Sequence, residues 1–338
     1  MTEINLAEAD QNAITQGKPQ ASLLMLSFNT RELIRRSLSE LIQAAEGIEA
    51  EIIVVDNASH DGSADMIEAE FPQVRLIRAP RNLGFAGGNN LAASQARGEF
   101  LVLVNSDAFI APSALTRGLE RMQQQPRVGL AGGLLIGKSG QNEPSARAFP
   151  SPLNDLLSIT GLAARFPHSR FFGRFDRTWA NPEQAAEVDW VPGAFCIIRR
   201  AAIEQTGFFD ERYFLYYEEV DLCRRLRKAG WIVAYWPDLK AEHWGGESSK
   251  TVSGEKVSSH GHQLSLWRMR SGLLYYHRQH GLFHAWLAKT IEQGWHRLRR
   301  QLNGKHAEKR AESEQIIALL ERAWRETRGG RVSPPKPW

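Results

Sequence analysis

ASLLMLSFNTRELIRRSLSELIQAAEGIEAEIIVVDNASHDGSADMIEAE, residues 21–70, is the stretch whose reading decides the fold. Ala21–Phe28 is an apolar run of strand length. Thr30–Ala45 then sets Leu33, Ile34, Leu38, Leu41 and Ile42 at helical spacing. Glu51–Val55 is a second strand-like run, and it stops at Asp56. Ser63–Glu70 reads as helix again. The alternation continues with a strand at Val74–Arg78, a helix at Phe85–Ala96 and a strand at Phe100–Val104, followed by Asn105-Ser106-Asp107. A repeated β-α order predicts an α/β protein with a mostly parallel sheet and helices on both faces. Ligands in such sheets bind at the carboxyl ends of the strands, where Asp56 and Asp107 stand.

Working outward, residues 138–187 are rich in Pro, Phe and Arg and read as a long insertion with a helix at Leu153–Ala164. Val188–Arg199 reads as a strand, Glu219–Ala229 as a helix closed by Gly230, and Ile232–Trp236 as a last short strand. After His243 the chain is rich in glycine and serine, then helical from about Gln263. The expected organisation is a mobile leader over 1–20, a body over 21–285 with halves meeting at 137/138, and a helical tail over 286–338.

Of 338 residues, 42% are hydrophobic and 24% charged, as in an ordinary globular protein. Two cysteines, Cys196 and Cys223, are too few for a disulfide framework or a cysteine-rich zinc site, and suit a reducing compartment. The polar start of the chain lacks the basic-then-apolar pattern of a signal peptide. The net charge is +4, yet residues 286–338 carry twelve Lys/Arg against six Asp/Glu, so the body is slightly acidic. That argues against a nucleic-acid-binding body. In the tail, Leu287, Ile291, Trp295, Leu298 and Leu302 share one helical face, and Ile316, Leu319, Leu320, Ala323 and Trp324 another. These faces suit either an anionic membrane surface or packing on the body or a second subunit.

Five constellations carry chemistry. Glu218, Glu219 and Asp221 follow an aromatic cluster at a predicted helix start, where the dipole favours carboxylates and nearby rings can exclude water. Any of the three can serve as a general base, or all can be a solvated first turn. Asp56 suits recognition of a nucleoside base or ribose, while Asp61 or Ser63 suits a helix cap. The glycines of Asn82–Asn90 permit close backbone approach to phosphate or close helix packing. Asp107 offers the hard oxygen ligand a divalent ion prefers. His243 precedes flexible glycines, with Lys250, Arg268 and Arg270 farther on as candidate diphosphate clamps. No GxGxxG and no Tyr-x-x-x-Lys pair supports a dinucleotide-dependent enzyme.

The phrases SFNTRELIRRSL, VVDNASHDGSADMI, NLGFAGGNN and WVPGAFCIIRR…GFFDERYFLYYEEVDLCRRLRKAGW run in order across residues 27–231. With them the chain resembles family 2 inverting glycosyltransferases, most closely their rhamnosyltransferase-like branch. The resemblance implies a GT-A fold and direct transfer from a dTDP- or UDP-linked sugar, such as dTDP-rhamnose, with inversion. It implies Glu219 as the base, with Glu218, Asp221, Trp190 and Gly193 supporting the acceptor. Ser27, Asn29, Asp56, Asn57, Asn82, Gly84, Ser106 and Asp107 would bind the donor nucleotide. Asp107 and His243 would hold Mg2+ or Mn2+, although Asn105 replaces the first acid of the family's Asp-x-Asp motif. The implied acceptor is a glycan or polyprenyl-linked glycan in cell-surface polysaccharide synthesis. The implied location is cytoplasmic, compatible with peripheral membrane contact and with a homodimer. A catalytically silent relative that only binds sugar nucleotides or glycans is the alternative.

Overall fold

The computed structural model describes residues 17–245 and 262–336. Most of the expected leader, together with Gly246–Ser249 and Lys250, lies outside the described residues. Nine strands form a single sheet: β1 (Ala21–Ser27), β2 (Ala50–Asp56), β3 (Arg75–Arg78), β4 (Phe100–Asn105), β5 (Ala108–Ile110), β6 (Val128–Gly137), β7 (Ala186–Glu187), β8 (Phe195–Arg199) and β9 (Ile232–His243). Their order is β3-β2-β1-β4-β8-β6-β9-β5, with β7 paired to β9.

The parallel character is confined to two blocks. Strands β3, β2, β1 and β4 run parallel, as do β6 and β9. Strand β8 runs antiparallel to both β4 and β6, and β5 and β7 run antiparallel to β9. The sheet is parallel in these two blocks, as expected, and the antiparallel β5, β7 and β8 make it a mixed one. Strands β1 and β4 are buried on both faces, which explains their unbroken apolar runs.

One face is covered by α1 (Arg31–Ala44), α2 (Ser63–Glu70) and α4 (Pro112–Gln124). Helix α1 buries Ile34, Leu38 and Leu41, a 3–4 spacing that forms one apolar stripe. The other face carries α3 (Gly84–Gln95), α7 (Arg200–Thr206) and α8 (Glu218–Lys228). Three long helices complete that side: α9 (His262–His280), α10 (Leu282–Leu302) and α11 (Ala307–Glu326). Ala285, Ala288, Leu320 and Ala323 of α10 and α11 belong to the same buried cluster as the sheet, so these helices pack on the body. Residue 286 falls inside α10, which begins at Leu282.

Several local readings change. The helix expected over 153–164 is two, α5 (Pro152–Ile159) and α6 (Leu162–Arg165), split at Gly161 with φ +76°. The strand expected from Val188 is confined to Phe195–Arg199, and the one expected to end at Trp236 runs on to His243. Elements β5, α4 and β6 have no counterpart in the sequence reading. Strand β6 is glycine-rich because its neighbours approach closely: a methyl on Gly133 would lie 1.8 Å from the Leu239 carbonyl oxygen.

Candidate active site

Parallel pairing sets Ser27 beside Asp56 and Leu26 beside Asn105, so three strand ends share one carboxyl edge. Asp56 is 3% exposed. Its Oδ2 accepts the Ser59 N–H at 3.0 Å, whereas its Oδ1 is buried with no partner. The adjacent Ser27 Oγ is likewise buried and unpartnered. Buried polar atoms are normally paired, so two orphans side by side at a strand edge mark a ligand position. Around them the loops are locked by their own amides. Asn57 donates Nδ2–H to Asn82 Oδ1 at 3.0 Å and to the Gly84 carbonyl at 3.2 Å, and its Oδ1 accepts the Leu83 N–H. Asn29 Oδ1 accepts the His60 N–H at 2.8 Å. Asn57 therefore shapes the cradle. Asp61 is structural too: it accepts the Arg31 N–H at 2.9 Å and the Ser63 N–H at 3.0 Å, tying the starts of α1 and α2 together.

Asp107 and Ser106 are buried in the turn after β4. Strand β5 pairs with the end of β9, with Ala108 opposite His243, and this brings His243 to Asp107. His243 Nε2 lies 3.6 Å from Asp107 Oδ1, and its Nδ1 lies 3.0 Å from Glu143 Oε2. With Nδ1–H donated to Glu143, the Nε2 lone pair faces the Asp107 carboxylate. An imidazole nitrogen and a carboxylate oxygen converging in this way, with a second carboxylate orienting the ring, fit a divalent ion. Among the described residues no third His, Cys, Asp or Glu joins them.

Tyr216 and Tyr217 both adopt positive φ, 68° and 70°, immediately before α8. Two consecutive left-handed residues are costly and force the turn that presents Glu218 and Glu219. Glu218 is 3% exposed, and one oxygen of each glutamate, Oε2, is buried without a partner. Burial and the neighbouring Glu219 hold the Glu218 carboxyl well above the usual carboxylate range. Burial also raises Glu219, opposed by a backbone hydrogen bond and the Arg147 guanidinium. Asp221 differs. It is fully enclosed, and both oxygens are engaged, by Arg225 Nε at 2.7 Å and Gln279 Nε2 at 2.9 Å. Its carboxylate holds α8 against α9 and is not available as a base.

Glu219, not Glu218, opens onto a cavity of about 270 Å³. Arg147, Trp190 and Phe175 form one wall, with the guanidinium stacked 4.5 Å from the Phe175 ring centre and 4.6 Å from that of Trp190. Trp190 is pinned by its indole N–H donating to the Ala148 carbonyl at 2.8 Å. Gly193 keeps its own place clear: a methyl there would sit 3.3 Å from Phe85 Cζ. Helices α5, α9, α10 and α11 supply the far wall.

Glycosyl transferase family 2 matches residues 22–206, more than half of the chain. The chain belongs to this family. The N-acetylglucosaminyl-diphospho-decaprenol L-rhamnosyltransferase of Mycobacterium tuberculosis H37Rv is 29% identical over 249 residues, covering 70% of this chain and 80% of that one. A low-salt glycan biosynthesis hexosyltransferase of Haloferax volcanii is 24% identical over 214 residues, 61% of each chain. Among solved structures, a mannosyltransferase from Pyrobaculum calidifontis in complex with GDP-Man and Mn2+ aligns with a TM-score of 0.52 at 14% identity. That alignment covers 94% of this chain and 92% of the other. GalNAc-T7 with UDP, GalNAc and Mn2+ aligns at 0.52 and 13% identity over 77% of this chain and 48% of its own. The fold is GT-A, and the protein is a glycosyltransferase.

In this glycosyltransferase the residues read from sequence separate into two groups, Ser27, Asp56, Ser106 and Asp107 at the carboxyl edge of the strands, and Glu218, Glu219, Trp190 and Gly193 on the side of the cavity. Sequence reasoning missed Glu143, Arg147, Asp155 and Glu292. Glu143 lies a hundred positions from the histidine it orients, in an irregular segment, and no spacing pattern singles it out. Of the candidate clamps, Arg270 is tied to Glu326 at 2.7 Å, while Arg268 lines the cavity. No helix among the described residues is long and apolar enough to cross a membrane.

Proposed function

We propose that this glycosyltransferase moves a sugar, with inversion, from a dTDP- or UDP-linked donor to a hydroxyl of a glycan or polyprenyl-linked glycan. The Mycobacterium tuberculosis relative is named for rhamnose transfer to N-acetylglucosaminyl-diphospho-decaprenol, which favours rhamnose as the sugar and a lipid-linked saccharide as the acceptor. The observation that carries the reading is Glu219, a carboxylate with an unpartnered oxygen, raised affinity for a proton and an opening onto a cavity. In the reaction the acceptor hydroxyl gives its proton to Glu219 as its oxygen bonds the anomeric carbon, and the carbon–oxygen bond to the diphosphate breaks. The diphosphate leaves, and no covalent sugar–enzyme intermediate forms. Asp56 and Ser27 would take hydrogen bonds from the nucleoside. Asp107 and His243, oriented by Glu143, would hold Mg2+ or Mn2+, which as a Lewis acid offsets charge on the leaving group.

The test incubates the full chain with dTDP-rhamnose or UDP-sugars, a short-chain polyprenyl-diphospho-N-acetylglucosamine, and Mg2+, Mn2+ or chelator. Metal-dependent transfer with an inverted anomeric configuration by NMR is expected. Binding of the nucleotide sugar with no turnover on any acceptor would favour the silent relative.

We also place the enzyme at an anionic membrane surface. Phe283 and Trp286 are 64% and 48% exposed at the start of α10, and Arg297 and Arg300 are exposed farther along it. Co-sedimentation with phosphatidylglycerol vesicles should be lost in Phe283→Ser/Trp286→Ser. A wild-type chain that stays in the supernatant removes this placement.

A further inference from the structure

The cavity beyond Glu219 is closed by α5 together with α9, α10 and α11, and the last three lie beyond the family match, which ends at residue 206. Asp155, on α5, accepts a hydrogen bond from Tyr276 at 2.5 Å through Oδ2, and its Oδ1 makes no hydrogen bond among the described residues. Glu292, on α10, lines the same space and forms no hydrogen bond or ion pair among the described residues. Glu292 acts on the Asp155 carboxyl, and Arg268 at the rim acts on both. The other cations of the lining are engaged: Arg147 Nε with Asp176 at 2.7 Å, Lys289 with Glu321 at 3.2 Å. The acceptor capacity left facing inward is therefore carboxylate oxygen, set opposite aromatic and aliphatic walls.

We infer that this cavity is a subsite for one uncharged pyranose ring of the acceptor, whose hydroxyls donate to Asp155 and Glu292 while its C–H face lies against the Phe175, Trp190 and Tyr216 side. The inference rests on the proposed role of Glu219. A carboxylate accepts from two hydroxyls at once, and an apolar wall matches the C–H face of a sugar. A uronate or phosphate on the side of the ring that faces Asp155 and Glu292 would meet two acids with Arg268 alone to offset them, so that side of the site favours neutral hydroxyls. The volume, about 270 Å³, admits a single ring and not an extended oligosaccharide. Because Asp155 belongs to the body and Glu292 to the C-terminal helices, the subsite exists only when those helices are docked. The acceptor choice of this chain thus depends on the docking of its C-terminal helices onto the body.

The experiment measures binding of methyl N-acetylglucosaminide, methyl rhamnoside, glucuronic acid and inorganic phosphate to the full chain by saturation-transfer NMR. The comparison is among wild type, Asp155→Asn and Glu292→Gln. Thermal shift by dTDP and UDP with Mn2+ runs in parallel on all three proteins. The expected result is binding of the neutral glycosides, weakened at least tenfold in each variant, with the nucleotide shift unchanged. Neutral glycosides that bind equally to all three proteins, a preference for glucuronic acid or phosphate, or no glycoside binding to wild type would each overturn the subsite. No nucleotide shift in wild type would instead count against the donor reading.

Discussion

Gly84 is pressed against the carbonyl oxygen of Phe214: a methyl on its α-carbon would lie 2.2 Å away, and the next residue's N–H, that of Phe85, donates to the same oxygen at 2.8 Å. The loop at Gly84 and the segment that leads into Glu218 and Glu219 are thereby one joined structure. Gly84 also has φ +75°, which side chains other than glycine's rarely adopt.

Gly84→Ala therefore meets both strain and a clash. The conformation alone costs about 1–3 kcal/mol, and the contact with Phe214 adds to it. Thermal denaturation should show a clear fall in Tm. Transfer by the surviving folded protein should fall more than donor binding, because the base-bearing segment must shift.

Glu219→Gln should reduce transfer by roughly 10²–10⁴-fold, the usual scale for losing a general base. Nucleotide binding should be retained, and Tm should be unchanged or higher, since a buried unpaired carboxyl is replaced by a neutral amide. Turnover near wild type would pass the role to Glu218.

The raised Glu219 carboxyl also sets a pH dependence. The base must be ionised, so kcat/KM should climb with pH through a value above the ordinary 4.5 of glutamate. A rate profile levelling off below that value would contradict this assignment.

Stability should move the opposite way. Burial lifts Asp155 from 3.8 to about 7 in the folded chain. The folded state then holds a proton that the unfolded state has lost, so stability is greatest below the unfolded value and declines as pH rises toward 7. Chemical denaturation at a series of pH values should show this decline, and Asp155→Asn should flatten it. The same variant keeps the side chain's shape beside Tyr276.

Arg225→Ala should cost on the order of 3–5 kcal/mol, because it strands the fully buried Asp221. Urea melts provide the check. Glu143→Gln acts at the other end of the site: weakening the partner of His243 should reduce Mn2+ affinity about 10–100-fold in calorimetric titrations with bound nucleotide, with Tm little changed.

The sequence by itself determined the strand–helix order from β1 to β4, the strand-end placement of Asp56 and Asp107, and the helix start bearing Glu218 and Glu219. These follow from local rules: apolar periodicity fixes strand or helix, and strand ends fix the binding edge. It did not separate Glu219 from Asp221 by chemistry. That separation depends on Arg225 and Gln279 consuming one carboxylate while an oxygen of the other stays unpaired. Nor did it reveal the antiparallel β8 between two parallel blocks, since chain order does not specify which strands become neighbours. Glu143 beside His243, and Asp155 with Glu292 around one cavity, were decided by tertiary structure alone. Each pair joins residues more than ninety positions apart, and only long-range packing, which leaves no local periodic trace, brings such side chains together.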